Sequence, residues 1–360
     1  MVTTVRHPLS RFSGEVLSLY SVDFSFICRE FKIELLHFSD KRIAMQIRYY
    51  GVRGSLPTPL LPGEVELKVK RFFVRILRIK EYRGLKLKDA ILRTPLYAKS
   101  TYGGNTPCVY IRVGEEHIIF DGGSGARILG FDLMKEEFGK GKGFARFFFS
   151  HTHWDHVQGL PFFTPLFIPG NKFEFYSCFP DLEERLRYQH DPRFFPIDMD
   201  YMQSKKKFIQ LDPGETHDFK SYKVKIMKQN HPGDSYAFRV EAGGKTFVYS
   251  SDVEFNEKNY DQLHQAIDFF KDADVLTFDS QYTLDEALSK IDWGHSSIQI
   301  GIDIAHNANI KRVVLFHYDP TYSDDKISDI VRIGISYKEK LYPESDMEII
   351  PAYEGLLIEP

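Results

Sequence analysis

The stretch Phe147-Phe148-Phe149-Ser150-His151-Thr152-His153-Trp154-Asp155-His156 decides how this chain is read. Three imidazoles and a carboxylate fall within six residues, directly after an apolar run. Core packing gives no reason to gather so many metal-binding groups at the end of a strand, whereas a pair of metal ions does. His151 and His153 are two residues apart, so an extended segment points both rings the same way. Asp155 and His156 follow where the chain must turn, placed to face a second ion roughly 3.5–4 Å from the first.

Such a centre needs ligands from elsewhere, and the ends of later strands can converge on one edge of a sheet. His231 follows a strand and precedes the turn Pro232-Gly233-Asp234. Asp252 closes the strand Thr246–Tyr249, and His317 ends the apolar run Val313-Val314-Leu315-Phe316. Singly, each reads as an ordinary hydrogen-bonded strand-end residue. Beside residues 151–156, coincidence is a poor explanation for all three.

Composition sets outer bounds. The 360 residues suffice for one large domain or two, and a hydrophobic share of 42% allows a sizeable core. A formal net charge of -3 predicts no polyanion partner for the chain as a whole, so any basic surface must be local. Cys28, Cys108 and Cys178 show neither metal-type spacing nor a paired framework and read as free core thiols in a reducing compartment. No apolar run reaches the roughly 18 residues of a membrane span, and the N-terminus shows no signal peptide. The expectation is a cytoplasmic protein with no membrane partner.

Residues 1–44 form an extension without an assigned role, and a core domain is expected over 45–360, opening with the strand Met45–Tyr50. Residues 64–99 form a basic insertion with eleven Lys or Arg against four Asp or Glu. Its apolar positions 69, 72, 73, 76 and 79 suit a helix period. The preferred reading is an amphipathic helix packed on the body with its basic face in water. The sharper one is a basic arm that handles an anionic substrate. Further strands are expected at Cys108–Val113, His117–Phe120, Ala145–Phe149, Lys223–Met227, Tyr236–Val240 and Thr246–Tyr249. Helices are expected from Ala126 to about Phe138, and at Tyr260–Lys271, Ser297–Asn307 and Asp325–Leu341. Residues 157–222 are expected to include a lid. Within them the apolar run Leu160–Phe167 either lines a pocket or packs beneath the metal motif.

His-x-His-x-Asp-His at 151–156 resembles the signature of the metallo-β-lactamase-fold hydrolases. Gly51-Val52-Arg53-Gly54-Ser55, Tyr102-Gly103-Gly104-Asn105-Thr106, Trp293-Gly294-His295-Ser296-Ser297 and Leu315-Phe316-His317 extend the likeness. They are similar, in that order, to a branch of small-molecule and cyclic-nucleotide phosphodiesterases related to ribonuclease Z. The likeness runs from Met45 to about Pro360, apart from the insertion. It implies an α/β fold, a four-layer αββα sandwich of two mixed β-sheets flanked by helices. It implies that His151, His153 and His231 hold one metal, that Asp155, His156 and His317 hold the other, and that Asp252 bridges them. Imidazole and carboxylate without thiolate suit zinc and tolerate manganese or iron. Two divalent ions make a nucleophilic water available at neutral pH, and Asp155 could orient it while ligating.

A leaving alkoxide needs a proton, and His295 is the candidate donor. In ribonuclease Z-like relatives a His-Ser motif at this place contacts the scissile phosphate. The bland alternative is that His295 caps a helix. Ser296 and Ser297 are read either as phosphate donors or as caps. Asp121 is expected behind a ligand histidine, fixing its tautomer. Asp279 is read as a similar supporting carboxylate or an ordinary strand-end one. The leading expectation is a metal-dependent phosphodiesterase acting on a small or cyclic phosphodiester. The enzymatic rival is a ribonuclease Z-like endonuclease that processes tRNA 3′ ends, with nucleic acid the less favoured partner. The alternative of another class is a non-catalytic ligand-binding or sensor protein on the same fold. A homodimer is implied by the resemblance alone.

Overall fold

The structure, a computed structural model, describes residues 45–255 and 260–360. The extension 1–44, with Cys28, lies outside the described residues. Strand β1 (Gln46–Gly51) leads into the insertion helices α1 (Pro62–Arg78), α2 (Leu87–Arg93) and α3 (Leu96–Lys99). Next come β2 (Cys108–Val113), β3 (Glu116–Phe120), α4 (Ala126–Leu133), β4 (Phe144–Phe148) and the single turn α5 (Trp154–Val157). Then follow β5 (Lys172–Ser177), α6 (Leu182–Gln189), β6 (Lys205–Gln210), β7 (Thr216–Asp218), β8 (Lys223–Gln229), β9 (Ser235–Ala242) and β10 (Lys245–Ser250). The remainder is α7 (Tyr260–Phe270), β11 (Val275–Asp279), α8 (Leu284–Ser289), α9 (Ile298–Asn307), β12 (Arg312–Phe316), α10 (Asp324–Leu341), β13 (Glu348–Pro351) and β14 (Leu357–Ile358).

The strands form two seven-stranded sheets, in the orders β14-β1-β2-β3-β4-β5-β6 and β13-β12-β11-β10-β9-β8-β7. Both are mixed. In the first, β1 to β3 run antiparallel and β3 to β6 parallel. In the second, β7 to β10 run antiparallel and β10 to β13 parallel. Helix α4 packs on the first sheet, and α9 and α10 on the second.

Strand alternation explains how the aromatic run 147–149 serves two layers. Phe148 faces Phe238 of the other sheet at 5.7 Å between ring centroids, within an inter-sheet core that also joins Phe120 to Phe238 and Tyr249. Phe147 and Phe149 point the opposite way, and Phe147 meets Phe163 edge-on at 5.3 Å.

Three expectations change. The helix from Ala126 ends at Leu133, because Phe138 turns inward to pack on Phe173 and His117. Residues 157–222 are largely not a lid: they supply β5, α6, β6 and β7. Leu160, Phe163 and Leu166 are buried there, so this run packs beneath the metal motif. The insertion is helical, with Phe72, Ile76 and Ile79 half-buried and Lys70 and Arg78 in water, yet part of its basic face departs from the preferred reading. Lys68 and Arg71 of α1 turn toward the body, where Lys68 Nζ lies 2.7 Å from Asp324 and Arg71 pairs with Asp325. That part is drawn inward because two carboxylates at the start of α10 wait there, and much of the apolar face is left in water. Cys108 and Cys178 are buried free thiols, as their apolar settings suggest.

Candidate metal centre

The polar residues beyond the strand ends converge. His151 follows β4, His231 follows β8, Asp252 follows β10, Asp279 closes β11 and His317 follows β12. Asp121, Asp252 and His317 all adopt left-handed backbone, with φ of 57°, 55° and 64°, a conformation that costs a residue with a Cβ of the order of 1 kcal/mol or more. The chain bends sharply at each strand end and swings the side chain onto the common edge.

Two clusters result. His151, His153, His231 and Asp252 form one, and Asp155, His156, Asp252 and His317 the other, with one potential donor atom of each residue within 4.8 Å of the rest. Asp252 belongs to both. Its Oδ2 lies 3.6 Å from His151 Nε2 and 3.8 Å from His231 Nε2, while Oδ1 lies 3.1 Å from His156 Nε2 and 3.2 Å from His317 Nε2. The carboxylate therefore divides its oxygens between the groups. Asp155 Oδ2 completes the second cluster, 3.0 Å from His317 Nε2 and 3.3 Å from His156 Nε2. His231 Nε2 is 3.1 Å from His153 Nδ1.

The donor set fits divalent cations. His151 Nε2 is buried and hydrogen-bonds to nothing among the described residues, a cost that a cation would remove. Burial pushes the pKa values of His151, His153 and His231 down, which favours the neutral imidazole that ligates metals. Burial works against ionised Asp155 and Asp252, but His156 and His317 beside them hold both carboxyls well below the usual range. Burial likewise opposes charge on His156, and Asp252, Asp155 and Asp121 outweigh it, so its pKa lies well above the ordinary value.

A supporting layer fixes the rings. Asp121 Oδ2 sits 2.8 Å from His156 Nδ1 and accepts from Tyr249 Oη, also at 2.8 Å, while Asp121 Oδ1 accepts from Ser150 N. His231 Nδ1 meets the carbonyl of Gly294 at 2.8 Å. Ser55 N donates to Asp155 Oδ2 at 2.8 Å. Gly54 beneath it must lack a side chain, because a Cβ would lie 2.5 Å from the His317 ring.

His295 sits beside the second cluster, its ring stacked on His317 at 5.2 Å between centroids. Asp279 Oδ2 lies 2.8 Å from its Nδ1. Burial opposes charge on His295, yet Asp279, with Asp252 and Asp155 nearby, lifts its pKa to about 9. Asp279 thus hydrogen-bonds to His295, and the two form a third group with His317. Ser297 caps α9 by accepting from Ile300 N, and Ser296 Oγ donates to Val253 O, so both hydroxyls already have structural partners.

Sequence reasoning missed Glu254. Its buried carboxylate accepts from Asp292 N at 3.0 Å and Gly294 N at 2.8 Å, pinning the turn whose carbonyl orients His231. Only its position two residues beyond Asp252 could have drawn notice. A cavity of about 390 Å³ opens over the clusters, lined by Ser55, Thr152, His153, Trp154, Asp155 and His295, among others. Trp154 stands 84% exposed at its rim.

A β-lactamase superfamily domain model matches residues 142–318, which include every clustered residue. The ribonuclease Z of Picrophilus torridus is 24% identical over 272 residues, covering 62% of this chain and 82% of that protein. Unliganded yeast PDE1 superposes with a TM-score of 0.56 at 13% identity, covering 88% of this chain and 100% of that one. Human tRNase Z, short form (ELAC1), superposes with a TM-score of 0.53 at 16% identity, covering 88% and 99%.

Proposed function

We infer, for a chain that is a metal-dependent hydrolase of the metallo-β-lactamase fold, that the bond it breaks is the phosphodiester of a small or cyclic substrate. The observation that carries this reading is His295, held by Asp279 over the cavity shared by both clusters. Asp279 favours its protonated form, in which it can give a proton to a departing alkoxide. Nδ1 is engaged by Asp279, so Nε2 is the atom left for the substrate.

In this reading His151, His153 and His231 hold one divalent ion, Asp155, His156 and His317 hold a second, and Asp252 is shared. Zinc suits the donor set, with manganese or iron(II) as alternatives. When bound, the pair would supply Lewis acidity that acidifies a water and offsets charge on phosphate oxygens. Asp155 is the orienting group: the Ser55 amide fixes one of its oxygens and leaves the other for a water proton. A cavity of about 390 Å³ falls in the usual range for small ligands, roughly 300–1,000 Å³.

A second reading, tRNA 3′-end processing, is equally well supported by the relatives, seven of which are ribonuclease Z. Metal-loaded protein should be assayed against bis(p-nitrophenyl) phosphate, cyclic nucleotides, linear dinucleotides and precursor tRNA. Turnover of a cyclic or small phosphodiester well above that of precursor tRNA is expected, and the reverse order would replace the first reading with the second. Asp155→Ala should lower turnover at least about a thousandfold, and undiminished rates in that variant would remove the proposed centre.

A further inference from the structure

Helix α1 turns part of its cationic side inward and leaves a strip of apolar side chains in water. Lys68 and Arg71 pair with Asp324 and Asp325, and Arg75 donates to Tyr97 Oη at 2.8 Å. These three cationic side chains are thereby paired, two with the start of α10 and one with α3 of the same insertion. Leu61, which caps the helix, and Val65, Val69, Phe73 and Leu77 recur every four residues and are 65, 47, 50, 55 and 72% exposed. Glu66 and Lys70 interrupt this outward half, but they pair with each other. No residue of α1 is buried. Leu87 and Leu92 of α2 extend the exposed apolar surface. Exposed apolar surface on this scale marks a contact site.

The charge around it narrows the occupant. Arg78, Lys80, Arg83, Lys86, Lys88 and Arg93 are all exposed in the same insertion, which carries eleven basic residues against four acidic. A second copy would bring the same positive excess face to face, so self-association is opposed. RNA would welcome the charge, but Leu61, Val65, Val69 and Leu77 offer neither stacking surface nor donors to nucleotides, and Phe73 is the one aromatic ring among the five side chains of the strip. An anionic lipid surface uses both features, taking the apolar side chains at the acyl boundary and the cations at its headgroups. We propose that α1 is an interfacial helix that seats the protein on an anionic membrane. It would lie on the bilayer: no helix among the described residues is long and apolar enough to cross one. The proposal departs from the sequence-based expectation of no membrane partner, and it is independent of which phosphodiester is cleaved.

The test is co-sedimentation of the full chain with phosphatidylcholine vesicles, with and without phosphatidylglycerol. Binding only to the anionic vesicles is expected, weakening as salt rises. Val69→Glu/Phe73→Glu should reduce partitioning by roughly tenfold or more, given the apolar area lost to the lipid. Arg78→Glu/Lys80→Glu/Lys88→Glu should lose the preference for phosphatidylglycerol, and it leaves the apolar face intact if the first variant folds poorly. Ile333→Glu, on exposed surface of α10, should bind like the parent. Each variant should keep its hydrolysis of bis(p-nitrophenyl) phosphate in solution. No association with either vesicle, or binding unaffected by both variants, overturns the proposal. So does a dimer in sedimentation velocity that Val69→Glu/Phe73→Glu dissolves, or RNA binding lost in the same variant without lipid binding.

Discussion

Two carboxylates behind the histidines, Asp121 and Asp279, determine which ring nitrogen faces the cavity. For His295 the partner also sets the charge. Asp279 raises its pKa, so the donor form is favoured at lower pH and is lost as pH rises through the raised value. Activity should therefore fall as pH rises through that region. Asp279→Asn removes the stabilising charge and should move this alkaline limb downward by about one unit or more, with metal content unchanged. A limb that stays in place would detach His295 from proton donation. Glu254 acts one step further back, through the turn at Gly294. Glu254→Gln should weaken metal affinity by roughly 10–100-fold, read by competition with a chelating dye, while the fully loaded variant recovers most of its turnover. Asp121 was legible because a polar residue closing a buried strand invites a question. Glu254 was not, because its partners are backbone amides of a turn some forty residues away.

At the scale of elements, periodicity revealed what α1 is but not which way it faces. An amphipathic pattern states only that two unlike faces exist. The orientation is set in part by Asp324 and Asp325, more than 250 residues onward, which draw Lys68 and Arg71 inward and leave Val65, Val69 and Phe73 in water. Residues 157–222 misled for a related reason: β5 and β6 lie at the parallel edge of the first sheet, and β6 opens with three lysines, so its alternation is weak. The strand-end ligands were easier to recognise, because each polar residue directly follows a run that must be buried. Their sharp exits leave no slack in the loop beneath His317. Gly54→Ala should push that ring aside and cut both metal content and turnover at least tenfold, as supporting contacts to a ligand generally do. A fully loaded, active Gly54→Ala protein would show that the loop yields.

For the whole molecule, the pairing of two mixed sheets followed from the resemblance, while their seven strands each did not, since no local pattern announces which strands share a sheet. The inter-sheet core was not read in advance either, although the alternation of Phe147, Phe148 and Phe149 accounts for it once the sheets are paired. A ligand that binds only the folded form adds its binding free energy to stability, about 2.7 kcal/mol at a hundredfold excess over Kd. Stripping metal with a chelator should lower the melting temperature by roughly 5–10 °C, measured by differential scanning fluorimetry. Asp155→Ala protein should lose most of that response.

Asp252 hangs from one layer of the sandwich, and His151 and His156 from the other. Whatever draws these three together also fastens the layers, as a clasp closes the two halves of a locket. In a cell starved of metal the protein would forfeit more than its chemistry. The seam between the layers would part more often, and proteases would find the polypeptide there.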